Sequence, residues 1–237
     1  MKKIIKVESL EKETSEVLQS TLNQIVEGLT GIASSKKEDL ILSIGYIFQR
    51  MRSGQFLSTL LKEWNKFRDK GRIKDDYQFS EQHHSCLSEI LDFLDKEIPD
   101  KERFDILKKI FLVASSEDIS DRGSILPYHY MKVARTLSSG AILLLVASYK
   151  KNLKKDWSDD GNYPARKWIT DIIEISELKQ SELIQMYEEE LIQKRILNNR
   201  IYTDGSGVYL QPNYRLTELG LELCKYITTY DNIVKEV

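Results

Sequence analysis

The side chains with the most direct chemistry are three histidines and two cysteines. His83 and His84 are adjacent, so on a helix they point in different directions and cannot bind one metal ion as histidines four residues apart would. Cys86 follows two residues later, whereas Cys224 lies far along the chain, and neither belongs to a Cys-x-x-Cys pair. We therefore expect no metal site, no disulfide framework and two buried thiols.

A second stretch, Pro99 to Lys109 (PDKERFDILKK), begins with Pro-Asp and continues with acids and lysines, and in this it is similar to the Pro-Asp and acid-x-Lys signature of a nuclease. Such a site needs its acids on neighbouring strands to hold Mg²⁺. Here the pattern is that of an amphipathic helix, in which Asp100 would be the N-cap. The turn Asp204–Gly207 leads into a strand and not a helix N-terminus, so it should not cradle a phosphate. We expect a protein that is not an enzyme and uses no cofactor.

Residues 149–168 mix basic and aromatic side chains, the combination that single-strand nucleic-acid binders use for stacking and phosphate contact. Six basic residues stand against three acidic ones, which gives +3. In the alternative, which we favour, Tyr149 and Trp168 continue apolar stripes into hydrophobic cores and the lysines form a solvated linker. Trp157 lies in the polar part and is the exception. The basic residues are Lys150, Lys151, Lys154, Lys155, Arg166 and Lys167.

A second basic group, Lys194, Arg195 and Arg200, lies near the end of a helix predicted over residues 179–197. That helix carries four glutamates against three basic residues, so its charge is −1. Because phosphate contacts come mainly from Lys and Arg, the run Glu188–Glu190 would repel a duplex. We predict a solvated acidic face that contacts protein, and DNA reading by this helix is the alternative.

Apolar residues recur at helical spacing through most of the chain, which predicts a multi-helix bundle. The run from Ile142 to Tyr149 is almost continuously apolar, so its helix should be central in the core, with Ser138 as N-cap. The polar stretch 154–164 lacks periodicity and predicts a domain boundary. We expect a helical domain over residues 1–153, a linker over 154–164 and a second domain over 165–237.

The last third of the chain contains two short β-prone segments, Arg200–Tyr202 and Val208–Leu210, separated by Asp-Gly-Ser-Gly. Tyr214–Leu216 can extend the second strand, and Thr217 can cap a last helix. Helix, helix, hairpin, helix is the order of a winged helix. The residues YRLTELG resemble the end of the wing in many bacterial winged-helix regulators, and this resemblance implies a fold and not a ligand. The predicted fold class is mainly α, a multi-helix bundle followed by a small winged-helix-like domain, α with a β-hairpin.

Charge is segregated in the first half of the chain. Residues 36–74 carry ten basic and four acidic residues (+6), and residues 75–105 carry ten acidic and three basic residues (−7). The basic stretch, with Trp64 and Phe67 interleaved, could contact a nucleic-acid backbone. The core spacing of its apolar residues favours the alternative, in which the basic helix neighbours the acidic ones within the chain or across a dimer.

Three stretches carry a further resemblance: SGQFLSTLLKEWNKFRDKGRIKDDY, IPDKERFDILKKIFL and LPYHYMKVARTLSSGAILLL. Together with the closing Y-x-L-T-x-x-G pattern they resemble a group of uncharacterised bacterial proteins similar in layout to the Abi-alpha abortive-infection family. The resemblance implies a setting of mobile elements and phage defence, and brings no catalytic residues with it.

The net charge, the length of the apolar runs and the number of cysteines limit the class of protein further. A net charge of −2 gives no general attraction to nucleic acid or to an anionic membrane. The first residues turn polar after a few apolar ones, so we expect no signal peptide, and the longest apolar run, Ala141–Ala147, is too short to span a bilayer. Two unpaired cysteines fit a reducing cytoplasm. We predict a non-enzymatic cytoplasmic protein, without a membrane partner, that binds a protein partner or itself in phage defence. The alternative is a DNA-binding winged-helix transcriptional regulator.

Overall fold

The structure, a computed structural model, describes most of the chain from Met51 onward. Within that part the fold is mainly helical, which confirms the predicted class at this level. The chain divides into two compact units: unit 1 is Met1–Pro99 with Ala114–Tyr128, and unit 2 is Asp100–Val113 with His129–Val237. The described residues are 44, 47, 51–73, 77–116, 125–153, 165–176, 178–199, 201–204, 207–210 and 215–236.

Unit 1 is built on helices α1 (Met51–Asp69) and α2 (Glu81–Lys96), which contact each other. A short 3₁₀ turn, Tyr77–Phe79, precedes α2 and contacts it. The Ser53 hydroxyl donates a hydrogen bond to the Leu94 carbonyl oxygen at 2.9 Å and joins the two helices. Their apolar side chains lie at helical spacing and form the core between them. These buried residues include Leu57, Leu60, Trp64 and Phe67 of α1 and Leu87, Ile90, Leu91 and Leu94 of α2.

The basic residues of α1 lie on its outer side, and the aromatic residues between them do not. Trp64 and Phe67 are only 0% and 1% exposed, so neither ring is available for a base to stack on. Lys62, Lys66 and Arg68 are exposed. Because the acidic helix α2 contacts α1, the prediction that the basic helix neighbours an acidic one within the chain is confirmed.

Unit 2 is organised around its most apolar helix. Helix α5 contacts α6, α7 and α8, and most of its side chains are buried, which confirms its predicted central position. Helices α3 and α4 precede it, and the division between the units falls within both of them. The helices are α3 (Lys101–Ser116), α4 (Ile125–Arg135), α5 (Ser139–Leu153), α6 (Ala165–Ser176), α7 (Ser181–Gln193) and α8 (Glu218–Glu236).

Helices α5 and α7 approach closely because α5 has a glycine at the contact. A Cβ atom at Gly140 would lie 2.0 Å from the Cζ atom of Tyr187, well inside van der Waals contact. The Tyr187 ring thus occupies the space that any other residue at position 140 would need. The sequence SSGAILLL therefore combines a cap, a close approach and an apolar core segment in eight residues.

The predicted domain boundary at 154–164 needs correction. Helix α5 precedes that stretch, yet it belongs to the same unit as α6, α7 and α8, which follow it. A polar, aperiodic composition is typical of a surface connection, and such a connection joins two helices of one unit as readily as two domains. The stretch 154–164 itself lies outside the described residues.

Two strands lie between α7 and α8. Strand β1 (Ile201–Asp204) pairs antiparallel with β2 (Gly207–Leu210), with Tyr202 opposite Tyr209. At Arg215 and Leu216 the expected extension of the second strand does not form. Arg215 has a left-handed φ of +68°, which breaks the extended conformation, and Leu216 instead makes an isolated antiparallel bridge with Leu197. Tyr214, the first residue of that expected extension, lies outside the described residues.

Three predicted N-caps are confirmed by backbone N–H groups that donate to the capping side chains. The cap bonds run from Arg103 N–H to Asp100 Oδ1 at 2.9 Å, from Ala141 N–H to Ser138 Oγ at 3.2 Å, and from Gly220 N–H to Thr217 Oγ1 at 3.1 Å.

No described helix is long and apolar enough to cross a membrane.

Candidate partner-binding surface

The basic residues predicted at the domain junction are only partly within the described chain. Lys150 is exposed near the end of α5, and the neighbouring Tyr149 is buried, in agreement with the core alternative. Lys151 also belongs to α5, and Arg166 and Lys167 belong to the start of α6. The remaining predicted contact residues lie outside the described residues: Lys154, Lys155, Trp157 and Arg200.

Lys194 and Arg195 are exposed at the point where the chain leaves α7. Arg195 has a φ of +57°. Its N–H donates to Ile192 O at 2.9 Å, and the N–H of Ile196 donates to Leu191 O at 2.9 Å. This pair of bonds is the Schellman motif, in which glycine usually takes the left-handed position. The two positive charges complement the partial negative charge of the helix C-terminus, so they have a structural role in any case.

The predicted acidic face of α7 also needs correction, because Glu188 does not face solvent. It is 5% exposed, and its carboxylate accepts a hydrogen bond from the guanidinium of Arg215, which is also buried. Arg215 Nε donates in turn to the Asn198 carbonyl oxygen at 2.9 Å. Glu188 falls on the inner side of α7 with Ile184 and Leu191, where a carboxylate needs a charged partner. The ion pair and this bond therefore join α7 to one residue before the hairpin, Asn198, and one after it, Arg215.

Glu190, the last glutamate of the run, also has a partner inside unit 2. Its Oε1 atom accepts from the backbone N–H of Ser138 at 2.7 Å, and its Oε2 accepts from the Ser138 hydroxyl at 2.6 Å. Ser138 caps α5, so Glu190 takes the place that the third helical residue has in a capping box, although it comes from another helix. Two of the three glutamates in the run thus hold tertiary structure.

The residues that α7 does present to solvent form a continuous stripe, which we call the α7 outer stripe. At its centre, the Met186 side chain is 52% exposed, which is high for an apolar residue of this size. The flanking side chains are amides and carboxylates, so the stripe carries −2 and can both donate and accept hydrogen bonds. Its members are Glu182, Gln185, Met186, Glu189 and Gln193.

The described part of the closing motif, Arg215–Gly220, has a structural role. Besides capping α8, Thr217 donates its hydroxyl to the Arg195 carbonyl oxygen at 2.7 Å. A Cβ atom at Gly220 would lie 2.4 Å from the Ile196 carbonyl oxygen, so this position of α8 has no room for a side chain. Asn198 N–H donates to the Arg215 carbonyl oxygen at 2.7 Å. Together these contacts fasten the start of α8 to the end of α7.

The histidines and cysteines singled out by their chemistry do not form a reactive site. The His83 ring is fully buried, with its centroid 5.1 Å from that of Trp64 and 5.4 Å from that of Tyr77. Burial, with a smaller effect of a nearby carboxylate, raises the pKa of Cys86 to about 12, and burial also raises the pKa of Cys224. Among the described residues, no group of three or more His, Cys, Asp or Glu is arranged to hold a metal ion.

Comparison of the chain with protein-family models, curated proteins and solved structures gives no match. The resemblances to the Abi-alpha family and to winged-helix regulators therefore stay predictions.

Proposed function

We propose that this protein is not an enzyme and acts by binding a protein partner or a second copy of itself through the α7 outer stripe. The observation that carries the proposal is the half-exposed Met186 at the centre of a stripe of glutamines and glutamates. Methionine adapts its shape to a partner and is enriched in protein interfaces. A phosphate-binding surface would instead need lysine and arginine at these positions.

The proposed module is winged-helix-like: α6, α7, the β1–β2 hairpin and α8. Its support is the order of these elements and the close attachment of α8 to the end of α7. In DNA-binding helix-turn-helix proteins the helix that reads bases enters the major groove. Here the helix before the hairpin carries −2 on its outer stripe, which favours a protein partner. The proposed setting in phage defence rests on the resemblance to the Abi-alpha layout.

The test is site-specific photocrosslinking in living cells with the full chain. A photoreactive amino acid replaces Gln185 in the stripe, and the control replaces Val234, which is 36% exposed on α8. We expect a discrete crosslinked species from position 185 that mass spectrometry identifies as one protein or as a second copy. Met186→Asp, introduced together with the crosslinker, should abolish that species. Equal crosslinking from both positions, or none from position 185, would contradict the proposal.

A second candidate function is DNA binding, and one observation favours it. Glu188 and Glu190 bind partners within unit 2, so the acidic run presents fewer carboxylates to a duplex than the sequence indicates. Lys194 and Arg195 are exposed beside it. The test is titration of random duplex DNA at several salt concentrations, since log K falls by about 0.9 per phosphate contact for each tenfold rise in salt. Tight, salt-dependent binding that Lys194→Ala with Arg195→Gly weakens would establish this function instead.

A further inference from the structure

Unit 1 has an open groove at the N-terminal end of α2. Its volume is about 490 Å³. An adjoining depression of about 350 Å³ shares Glu81, Ser85 and Tyr128 with it and adds Gln82 and Ile125. The groove therefore continues from α2 towards the start of α4. Its lining residues are Phe79, Glu81, His84, Ser85, Ser88, Glu89 and Tyr128.

Two large apolar side chains line this groove with more than half of their surface exposed. Phe79 is 56% exposed and Ile125 is 57% exposed, and Leu126, next to Ile125, is 44% exposed. Exposed apolar residues that cluster on one face, in contrast to single scattered ones, mark contact sites. The apolar part of the groove is thus suited to a partner that brings apolar side chains of its own.

The exposure of Phe79 follows from the way α2 begins. Ser80 caps the helix by accepting from His83 N–H at 3.1 Å, so Phe79 is the residue before the cap. In a hydrophobic staple this residue packs on an apolar side chain at the fourth helical position. That position is His84, a polar residue that also lines the groove. Phe79 therefore remains largely exposed at the groove wall.

The charged residues among the described lining of the groove are acidic. Glu81 is exposed and Glu89 is half-buried, and the described residues that line the groove include neither lysine nor arginine. Phe79 and Tyr128 also line the groove, and aromatic rings attract cations independently of the carboxylates. Carboxylates and aromatic rings thus both favour a cation, and they would repel a phosphate backbone or an anionic lipid surface.

We propose that this groove binds a partner protein through a segment in which lysine or arginine alternates with large apolar side chains. The apolar side chains of the segment contact Phe79 and Ile125, and its basic side chains lie between the carboxylates of Glu81 and Glu89. The surface belongs to unit 1 and shares no residue with the α7 outer stripe, so this inference stands apart from the proposed function.

The experiment uses the full chain and three short fluorescein-labelled peptides, one alternating leucine with arginine, one leucine with glutamate and one serine with arginine. Fluorescence anisotropy should show saturable binding of the leucine–arginine peptide and at least tenfold weaker binding of the other two. Glu81→Gln combined with Glu89→Gln should weaken binding about tenfold, which corresponds to about 1.4 kcal/mol. Phe79→Ala should weaken it about fivefold.

Matched controls separate the groove from general charge and hydrophobicity. Asp69→Asn combined with Glu174→Gln removes the same charge from two other exposed positions, and Ile98→Ala truncates an apolar residue that is 80% exposed elsewhere. These variants should leave the affinity unchanged, and all variants should keep the thermal midpoint of the parent chain. Absence of saturable binding, equal binding of the leucine–glutamate peptide, or equal losses in the control variants would overturn the proposal.

Discussion

Replacing Glu190 by alanine should destabilise unit 2 by about 2 kcal/mol. The carboxylate of Glu190 accepts two hydrogen bonds from Ser138, at 2.7 and 2.6 Å. A hydrogen bond to a charged group contributes about 1.5–3 kcal/mol, and an anion at a helix N-terminus adds about 0.3–1 kcal/mol. Glu190 is half-buried, so solvent replaces part of what is lost and the sum of these terms is an upper bound. Glu190→Gln keeps one acceptor atom and should cost about 1 kcal/mol.

A double-mutant cycle measures this contact directly. Equilibrium unfolding in urea, followed by far-UV circular dichroism, compares the parent chain, Glu190→Ala, Ser138→Ala and the double variant. Ser138→Ala alone removes the N-cap of α5 and should cost about 1 kcal/mol. Because both variants remove the same contact, we expect a coupling energy of at least about 0.5 kcal/mol. The exposed neighbour is the control: Glu189→Ala should stay within about 0.5 kcal/mol of the parent. Additive effects, or a Glu190→Ala cost no larger than that of Glu189→Ala, would refute the tertiary cap.

Three further predictions follow from the same geometry. Arg195→Gly should stabilise the chain by about 0.5 kcal/mol in urea unfolding, because a left-handed non-glycine residue costs about 1–2 kcal/mol. The added freedom of glycine in the unfolded chain and the loss of a positive charge at the helix C-terminus offset part of the gain. A lower midpoint would contradict the Schellman assignment. Gly220→Ala should destabilise the chain by about 2 kcal/mol in the same assay, because the alanine Cβ would meet the Ile196 carbonyl oxygen. This loss is expected although alanine favours helices. A neutral result would mean that the structure around this contact relaxes freely. Cys86 and Cys224 should react with a thiol reagent at neutral pH only after unfolding. Since burial raises the pKa of Cys86 from 9.0 to about 12, stability should also fall as pH rises from about 9 towards 12, and rapid labelling of the folded chain would contradict both statements.

Local signals in the sequence predicted the parts of the fold that depend on local physics. Asp100, Ser138 and Thr217 cap helices because the hydrogen bond of a cap closes within three residues. The apolar run of α5 was enough to predict a central helix, because a helix that is apolar all round has to be buried. In both cases the determining residues are neighbours along the chain.

Local sequence signals could not predict the roles of the glutamates in α7. Glu188 pairs with Arg215, 27 residues away, and Glu190 with Ser138, 52 residues away. A carboxylate on a helix is equally compatible with solvent and with a buried cation, and only the distant partner decides between them. Periodicity does place position 188 on the same side as Ile184 and Leu191, so a helical-wheel argument could have identified it as an inward carboxylate.

Local sequence signals also did not predict which non-glycine residues adopt positive φ angles. Glycine is the residue that most readily adopts them, so the sequence directs attention to the glycines of the hairpin turn. Of the described residues other than glycine, Arg195 and Arg215 adopt them, one where α7 ends and one where the chain returns from the hairpin to α8. Each also makes a bond to a residue distant in sequence: the Arg195 carbonyl oxygen accepts from the Thr217 hydroxyl, and the Arg215 guanidinium donates to Glu188.

The closure at the base of the hairpin makes the hairpin a permissive insertion point. Two contacts hold the chain before and after the hairpin together, whatever the sequence of the hairpin itself. They are the bridge between Leu197 and Leu216 and the Glu188–Arg215 ion pair. Lengthening a loop whose ends are already fixed costs only about 0.6 kcal/mol per doubling of its length. The tip between β1 and β2 can therefore accept an epitope tag, a longer hairpin or a diversified sequence library while α5, α7 and α8 keep their packing. In evolution the same property would let the sequence of the tip change without a compensating change in the core.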